Sequence, residues 1–234
     1  MSEQSAYERL RAAIFRGELA PGEVYSQAQL EELLDLGRTP LREAVRRVQS
    51  EDLLEAQENR RLRVAGLDPA DLGELYAMRI MLESLGVRLT VAGLDAEGLD
   101  RIRASFEAHV RACEERDLET ARQHHREFHF GLFGGCGPRL LGELRDLWDH
   151  AQRYRRLYLG GRADEIGLLH LARRDHEAIL AAAEDADATL CAELSARHMA
   201  HVALTLFAHL DLREEPAEVR AALELAGFVL ESPA

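Results

Sequence analysis

The chain has 234 residues, of which 47% are hydrophobic, so it is long and apolar enough to bury one large core or two small ones. No segment approaches the ~20 consecutive apolar residues of a membrane helix, and the polar N-terminus lacks the apolar region of a signal peptide, so we expect a cytoplasmic protein. The net charge of −13 argues on average against a nucleic-acid partner, but residues 1–66 carry only −2 of it and residues 67–234 carry −11.

The composition predicts a mostly α-helical protein. Ala, Leu, Glu and Arg dominate, all of which favour helices, and only six prolines interrupt the chain. The three cysteines, Cys113, Cys136 and Cys191, are too few and too scattered for a disulfide framework or a cysteine-based zinc site. We therefore expect free thiols in a helical fold.

The first fifty residues predict three short helices. Apolar residues at helical spacing indicate a first helix over about 5–17. Ser26 is a suitable N-cap for a second helix, and a short break at residues 35–37 separates it from a third. We expect this third helix to have Thr39 as its N-cap and Pro40 as its first residue. The second and third helices together form a helix-turn-helix candidate.

A pair of short strands follows the third helix. Residues 53–56 and 62–65 have strand patterns on either side of the polar tip at 57–61, which is typical of a β-wing. We place the end of this first domain near Gly66. Residues 1–66 are thus predicted to form a winged helix-turn-helix, followed by a second domain.

The segment around the predicted turn resembles a known family. The run from Pro21-Gly22-Glu23 through Arg38-Thr39-Pro40-Leu41-Arg42-Glu43-Ala44 is similar to the GntR family of regulators. Three positions differ from the family pattern: Asp35 replaces the usual turn glycine, Gly37 a usual Ser or Thr, and Arg61 the usual wing glycine. The resemblance implies a DNA-binding regulator whose third helix recognises the operator.

The arginines of the third helix and the wing are the candidates for DNA contact. From their matching positions, Arg38 and Arg42 are expected to read base edges, while the others contact mainly phosphates. For Arg47, an ion pair with Glu43 or Glu51 is the alternative, and for the whole set the alternative is an ordinary solvated face. The candidates are Arg38, Thr39, Arg42, Arg46, Arg47, Arg60 and Arg61.

The second domain, residues 67–234, is predicted to be an all-α helical bundle. From Asp68, a suitable N-cap, apolar residues keep a period near 3.6 to about residue 210, which indicates roughly six helices. A last amphipathic segment over 216–230 is expected to pack on the bundle or on a partner subunit. The breaks between the helices fall near residues 93–95, 115–117, 134–138 and 159–164.

Four of the ten histidines suggest a metal site. His125 and His129 share one helix face because they are four residues apart, and later helices could bring His176 and His198 beside them. Buried imidazoles can also serve as polar pocket walls without a metal. Both interpretations stay open at this point.

A second resemblance favours the metal. In the FadR-like ligand-binding domain called FCD, one Asp and three His bind a divalent metal that helps hold a small carboxylate effector. Here His125 stands at the usual Asp position, which leaves His125, His129, His176 and His198 as an all-imidazole set. The segments that resemble this domain are Asp71–Arg79, Leu82-Glu83, Phe128-His129, Asp175–Ala183 and Arg197-His198.

Loss of the anionic ligand favours zinc or nickel over magnesium or calcium. Arg79 is the candidate clamp for an effector carboxylate because a guanidinium presents paired donors. An ion pair with Glu83, four residues later, is the alternative.

Together these patterns predict a homodimeric transcriptional regulator, a repressor that binds a palindromic operator and responds to a small organic acid. A metal-independent regulator is the first alternative. A metalloenzyme is the second, and it would need a general base such as Glu127, which we expect to point away from the face that His125 and His129 share. We therefore predict that the protein is not an enzyme.

Overall fold

A computed structural model describes residues 5–66, 68–158, 172–209 and 216–227. Contacts divide the chain into two compact units. The first contains Met1–Asp68 with Gln152–Leu157, and the second contains Pro69–Ala151 with Tyr158–Ala234.

The first unit is a winged helix-turn-helix. Its elements are α1 (Ala6–Phe15), β1 (Val24–Ser26), α2 (Gln27–Leu33), α3 (Arg38–Gln49), β2 (Leu54–Ala56), a 3₁₀ turn (Glu58–Arg60) and β3 (Arg61–Val64). The strands form an antiparallel sheet in the order β1-β3-β2, with Tyr25 opposite Leu62 and Ala56 opposite Leu62 on the other side. The predicted helices and wing strands are confirmed, whereas β1 was not predicted.

Local capping explains where the helices of this unit begin. Ser26 caps α2 as predicted: its hydroxyl accepts from the backbone N–H of Gln29, whose side chain in turn accepts from the backbone N–H of Ser26. The prediction that Thr39 caps α3 was wrong, because the helix begins at Arg38 with Gly37 as its N-cap. Pro40 is therefore the third helical residue, still within the first turn, where a missing N–H leaves no hydrogen bond unmade.

The core of the first unit is apolar, and the end of α7 (Pro138–Tyr158) belongs to the unit as well. Tyr154 of α7 accepts a hydrogen bond from the backbone N–H of Asp68 and donates one to its carbonyl. The buried core includes Leu10, Ile14, Leu30, Leu41, Val45, Val48, Leu53, Leu62 and Val64.

The second unit is a helical bundle, so the predicted fold class is confirmed. Its elements are α4 (Pro69–Val91), α5 (Ala96–Glu114), α6 (Leu118–Phe133), most of α7, α8 (Arg173–Glu184), α9 (Ala188–His209) and α10 (Ala217–Leu225). The long helix α4 packs against α6, α9 and α10, while α5 packs against α6 and α8. The predicted breaks near 93–95, 115–117 and 134–138 are confirmed, and that at 159–164 lies outside the described residues.

The predicted last segment, 216–230, corresponds to α10, although residues 228–230 lie outside the described part of the chain. Among the described helices, none has both the length and the apolar content that crossing a membrane would require.

Candidate nucleic-acid interface and metal centre

The third helix separates its apolar and charged residues onto two faces. Leu41, Val45 and Val48 are buried against the core of the first unit. The opposite face is exposed and carries Arg38, Thr39, Arg42 and Arg46. Because Arg38, Arg42 and Arg46 are spaced by four residues, their side chains leave the helix on one side. This face can donate several charge-assisted hydrogen bonds to one polyanion.

The turn before α3 keeps the backbone shape that a glycine would give. Asp35 has a φ of 46°, in the left-handed region that favours glycine. The guanidinium of Arg9, from α1, donates to the carbonyls of Leu34 and Asp35. The replacement of the family's usual glycine by Asp35 therefore leaves the turn conformation in place, and Arg9 satisfies carbonyls at the end of α2.

Arg47 lies apart from the other arginines of α3. Its guanidinium carbon is 3.6 Å from the ring centroid of Tyr7, a cation–π contact. Glu51, one of its two expected partners, instead accepts from the Tyr7 hydroxyl at 2.5 Å and from Arg11 at 3.0 Å. Within the described residues no ion pair joins Arg47 to Glu43 or Glu51. Arg47 contacts the ring of Tyr7 instead of forming the expected ion pair.

The wing adds further arginines to this unit. Asn59 and Arg60 at its tip have φ values of 58° and 57°, which reverse the chain direction between β2 and β3. Along β3, Leu62 and Val64 are buried while Arg61 and Arg63 are exposed on the opposite face. Arg63 was not among the candidate DNA contacts, although strand alternation places it on the same side as Arg61.

The four predicted histidines meet inside the second unit. The Nε2 atom of His129 lies 3.2 Å from Nε2 of His125 and 3.2 Å from Nε2 of His176. The Nε2 atoms of His176 and His198 are 3.1 Å apart. One possible ligand atom from each residue lies within 4.8 Å of all the others, and all four side chains are buried.

The pattern of α6 explains how two imidazoles enter the interior. His125 and His129 lie on its buried face with Leu118, Ala121, Phe128 and Leu132. α6 also approaches α5 closely, because a Cβ atom on Gly131 would lie 2.6 Å from Cγ1 of Ile102. The buried faces of α8 and α9 supply the remaining two rings.

The donor set and its spacing fit a divalent transition metal. Metal–nitrogen bonds of about 2.0–2.1 Å place neighbouring ligand nitrogens about 3.0–3.4 Å apart, a range that includes all three Nε2 separations. A ring nitrogen offers one proton or one lone pair, so a chain of four Nε2 atoms can form at most two ordinary hydrogen bonds across three such contacts. Four neutral imidazoles suit zinc, nickel or copper.

Asp175 sets the orientation of one of these rings. Its Oδ2 accepts a hydrogen bond from Nδ1 of His198 at 3.2 Å and another from Nδ1 of His201 at 3.3 Å. Burial alone would raise the pKa of Asp175, but these hydrogen bonds outweigh it and hold the pKa well below its usual range. Because an ionised carboxylate only accepts, Nδ1 of His198 is the donor, and a neutral ring then has its lone pair on Nε2.

Two aromatic rings that the sequence did not single out border the cluster. The ring centroid of Trp148 lies 5.4 Å from that of His125 and 5.2 Å from that of His129. His109, also buried, is 5.2 Å from His125, and its Nδ1 lies 2.9 Å from the carbonyl oxygen of Ala121. As a carbonyl only accepts, Nδ1 of His109 is a donor, consistent with an ordinary core histidine.

Arg79 forms the ion pair that was the alternative to a carboxylate clamp. Its Nε donates to Oε1 of Glu83 at 2.6 Å, and both residues are buried. Burial raises the pKa of the Glu83 carboxyl, and the adjacent guanidinium opposes that rise. The guanidinium carbon of Arg79 lies 5.3 Å from the ring centroid of Trp148, so Arg79 and the histidine cluster both contact this tryptophan.

Both units match known protein families. Residues 2–64 match the family described as bacterial regulatory proteins, gntR family. Residues 74–201, more than half of the chain, match the FCD domain. The first match covers α3 and the wing, and the second covers all four clustered histidines.

Relatives that align over most of the chain are named as transcriptional regulators. The chain is 28% identical over 198 residues to the HTH-type transcriptional repressor GlaR of Escherichia coli (strain K12), covering 82% of this chain and 90% of the relative. It is 29% identical over 206 residues to the HTH-type transcriptional regulator BphR of Paraburkholderia xenovorans (strain LB400), covering 84% and 81%. The solved structure of E. coli McbR/YncC shares the fold, with a TM-score of 0.75 and 24% identity over 88% of this chain and 96% of that one.

Proposed function

Since the chain belongs to the gntR family of bacterial regulatory proteins and carries an FCD domain, we propose that it is a DNA-binding transcriptional repressor released by a small organic acid. In this proposal residues 1–66 bind the operator, and residues 67–234 bind the effector and the partner subunit. The observation that carries the proposal is the exposed arginine face of α3, which lies within the segment that matches the gntR family.

The recognition step follows from the two faces of α3. Arg38 lies at the N-terminal end of the helix and Arg42 one turn later, where their guanidinium groups reach base edges in a major groove. Arg46 and the wing residues Arg61 and Arg63 contact phosphates, which fix the register of the protein on the duplex. One such helix reads only a half-site, so a homodimer binds a palindrome.

The effector step is assigned to the interior of the second unit. We propose that the four clustered imidazoles hold zinc or nickel, which supplies a Lewis-acidic centre able to accept a carboxylate oxygen. Asp175 holds the His198 ring in orientation, and Trp148 covers one side of the cluster with apolar surface. Arg79, whose Nε donates to Glu83, is the proposed contact for the effector through the remaining donors of its guanidinium.

Glu127, the general base that a metalloenzyme would need, has its partners away from the histidine cluster, as expected. Glu127 accepts hydrogen bonds from the side chains of Gln123 at 3.0 Å and His124 at 2.7 Å, and it is partly exposed. This carboxylate is thus engaged on the outer side of α6, away from the buried cluster. A regulator that uses the imidazoles only as polar pocket walls is the remaining alternative.

Two experiments on the purified protein test the proposal: the first seeks a specific operator, and the second compares zinc-loaded with chelator-treated protein. An operator is selected from a random DNA pool, and binding is followed by fluorescence anisotropy at fixed salt. We expect a palindromic sequence bound 10³-fold or more tighter than random DNA. If no DNA sequence is enriched, the proposal that this chain is a DNA-binding repressor is rejected.

The effector is sought with a panel of short mono-, di- and tricarboxylic acids. We expect at least one acid to release the DNA from zinc-loaded protein and not from chelator-treated protein. Release that is equal in both states would favour the metal-independent regulator.

A further inference from the structure

Two pairs of possible metal ligands lie one outside the other where α8 packs against α9. The inner pair is His176 of α8 and His198 of α9, whose Nε2 atoms are 3.1 Å apart. In the second pair, which we call the outer pair, Nδ1 of His201 lies 3.3 Å from Oδ2 of Asp175. The same Oδ2 atom accepts a hydrogen bond from Nδ1 of His198 at 3.2 Å, so the two pairs are joined.

Helix geometry explains why each helix supplies one residue to each pair. Asp175 and His176 are consecutive, so their side chains leave α8 about 100° apart. His198 and His201 are three residues apart and therefore diverge by only about 60° around α9. His176 and His198 are 0% and 2% exposed, whereas the side chains of Asp175 and His201 are 32% and 50% exposed. Exposure thus falls step by step from the surface to the cluster.

The outer pair still has ligand atoms to offer. In the described part of the chain, Oδ1 of Asp175 and Nε2 of His201 take part in no hydrogen bond. Carboxylate oxygen and imidazole nitrogen are both zinc ligands, and the 3.3 Å within the pair lies in the range of about 3.0–3.4 Å expected for neighbouring ligand atoms of one ion. The negative charge of the Asp175 carboxylate also attracts a divalent cation.

A similar pair on α6 lacks the connection to the interior. His124 and Glu127 are likewise a partly exposed imidazole and carboxylate, with 2.7 Å between Nδ1 and Oε2. His124 directly precedes the clustered His125, yet within the described residues the side-chain hydrogen bonds of His124 and Glu127 stay on α6. This pair therefore serves as a comparison that differs from the outer pair mainly in its link to the cluster.

The clustered histidines are too deeply buried for an ion to reach them directly. All four are only 0–4% exposed, so an ion that binds there needs an entry path through the protein. A two-ligand position at the surface can replace part of the hydration shell of the ion before the four imidazoles replace the rest.

We propose that the outer pair, Asp175 and His201, is the route by which zinc enters and leaves the histidine cluster. The inference rests on the proposed function in one respect, since it requires the cluster to bind a metal. His201 takes up the ion together with Asp175, and His198, which contacts Asp175 through Nδ1 and the cluster through Nε2, passes it inward.

A route acts on both directions of exchange. Loss of His201 should therefore slow zinc loading and zinc release by the same factor and leave the Kd unchanged. A residue that belongs to the binding site itself, or that only orients His198, would change the Kd instead.

Stopped-flow absorbance with a chromogenic zinc indicator tests the route in the full-length protein at fixed pH. Loading is measured by mixing apo-protein with zinc-loaded indicator, release by mixing zinc-loaded protein with excess indicator, and the Kd by equilibrium competition. We expect His201→Gln to slow both rates by about 10-fold. His201→Glu, which restores a ligand atom, should keep both rates near those of wild type.

His124→Gln is the matched control and should leave both rates and the Kd unchanged, while circular dichroism checks that every variant is folded. Unchanged rates in His201→Gln would overturn the proposal, as would a weaker Kd with an unchanged loading rate. A wild type that binds no zinc would instead reject the metal site of the proposed function, so the two failures give different results.

Discussion

The two units place their polar side chains in opposite environments. The arginines proposed to bind DNA lie on the outside of α3 and β3, over a core that is apolar. The imidazoles proposed to bind metal lie inside a helical bundle and are only 0–4% exposed. An exposed charged face costs the fold little, whereas buried polar groups lower stability unless each finds a partner. Substitutions should therefore separate binding from folding in the first unit and couple them in the second.

The largest expected effect comes from the buried ion pair of the second unit. Arg79→Ala leaves Glu83 buried without its cation, so we expect the free energy of unfolding to fall by about 3–5 kcal/mol. Urea denaturation followed by circular dichroism measures this change.

The matched control removes both charges. Arg79→Met/Glu83→Leu should recover most of the lost stability, because no unpaired charge remains buried. If Arg79→Ala costs less than about 1 kcal/mol, this pair does not behave as a buried one and the contrast between the units is weakened.

Zinc should stabilise the second unit through the histidine cluster. At a free zinc concentration of a hundred times Kd, we expect the free energy of unfolding to rise by about 3 kcal/mol, because the ion binds the folded state. His176→Ala should lose this gain, and the effect is measured by thermal melting with and without chelator.

His124→Ala is the control for this experiment, since His124 lies one residue outside the cluster and pairs with Glu127. It should keep the full zinc response. A wild type whose melting ignores both zinc and nickel would contradict the metal site.

The arginine face should show the opposite behaviour. Arg38→Ala and Arg42→Ala should each weaken binding to the selected operator by about 1–3 kcal/mol while leaving the free energy of unfolding unchanged. Fluorescence anisotropy and urea denaturation are run on the same preparations. Arg16→Ala is the control, because Arg16 is exposed in the same unit but pairs with Glu18. Full operator affinity in both α3 variants would remove this helix from the interface.

The smallest effect is expected at the turn before α3. Asp35→Ala should lower the free energy of unfolding by about 1 kcal/mol, because alanine is disfavoured at a φ of 46°. Asp35→Gly should be within about 0.5 kcal/mol of wild type, since glycine adopts this φ freely but loses more entropy on folding. Equal stability of the two variants would show that the left-handed conformation carries no cost here.

Local signals in the sequence were enough to predict most elements. Ser26 predicted the start of α2 because its hydroxyl satisfies backbone donors within its own turn. The prediction for Thr39 was wrong although threonine is a good N-cap, because α3 begins two residues earlier than expected, with Gly37 as its N-cap. β1 spans only three residues and exists because β3 pairs with it, which no local pattern could indicate.

The candidate metal site also contains residues that the sequence predicted and residues that it did not. His125 and His129 were predicted from spacing on one helix, and for His176 and His198, on later helices, the prediction depended on the family resemblance as well. Asp175 and Trp148 were not predicted, because their proximity to the cluster depends on how separate helices pack. Only for Asp175 did the sequence hold a signal, a carboxylate directly before a candidate ligand.

Trp148 has a practical consequence because it is the single tryptophan in the chain. Its ring lies within 5.4 Å of the ring centroids of His125 and His129, so its emission originates beside the cluster. Nickel and copper ions have partly filled d shells and should quench that emission, whereas zinc, with a filled shell, should shift it without quenching. The protein thus contains its own optical probe, which can distinguish these metals in unlabelled samples.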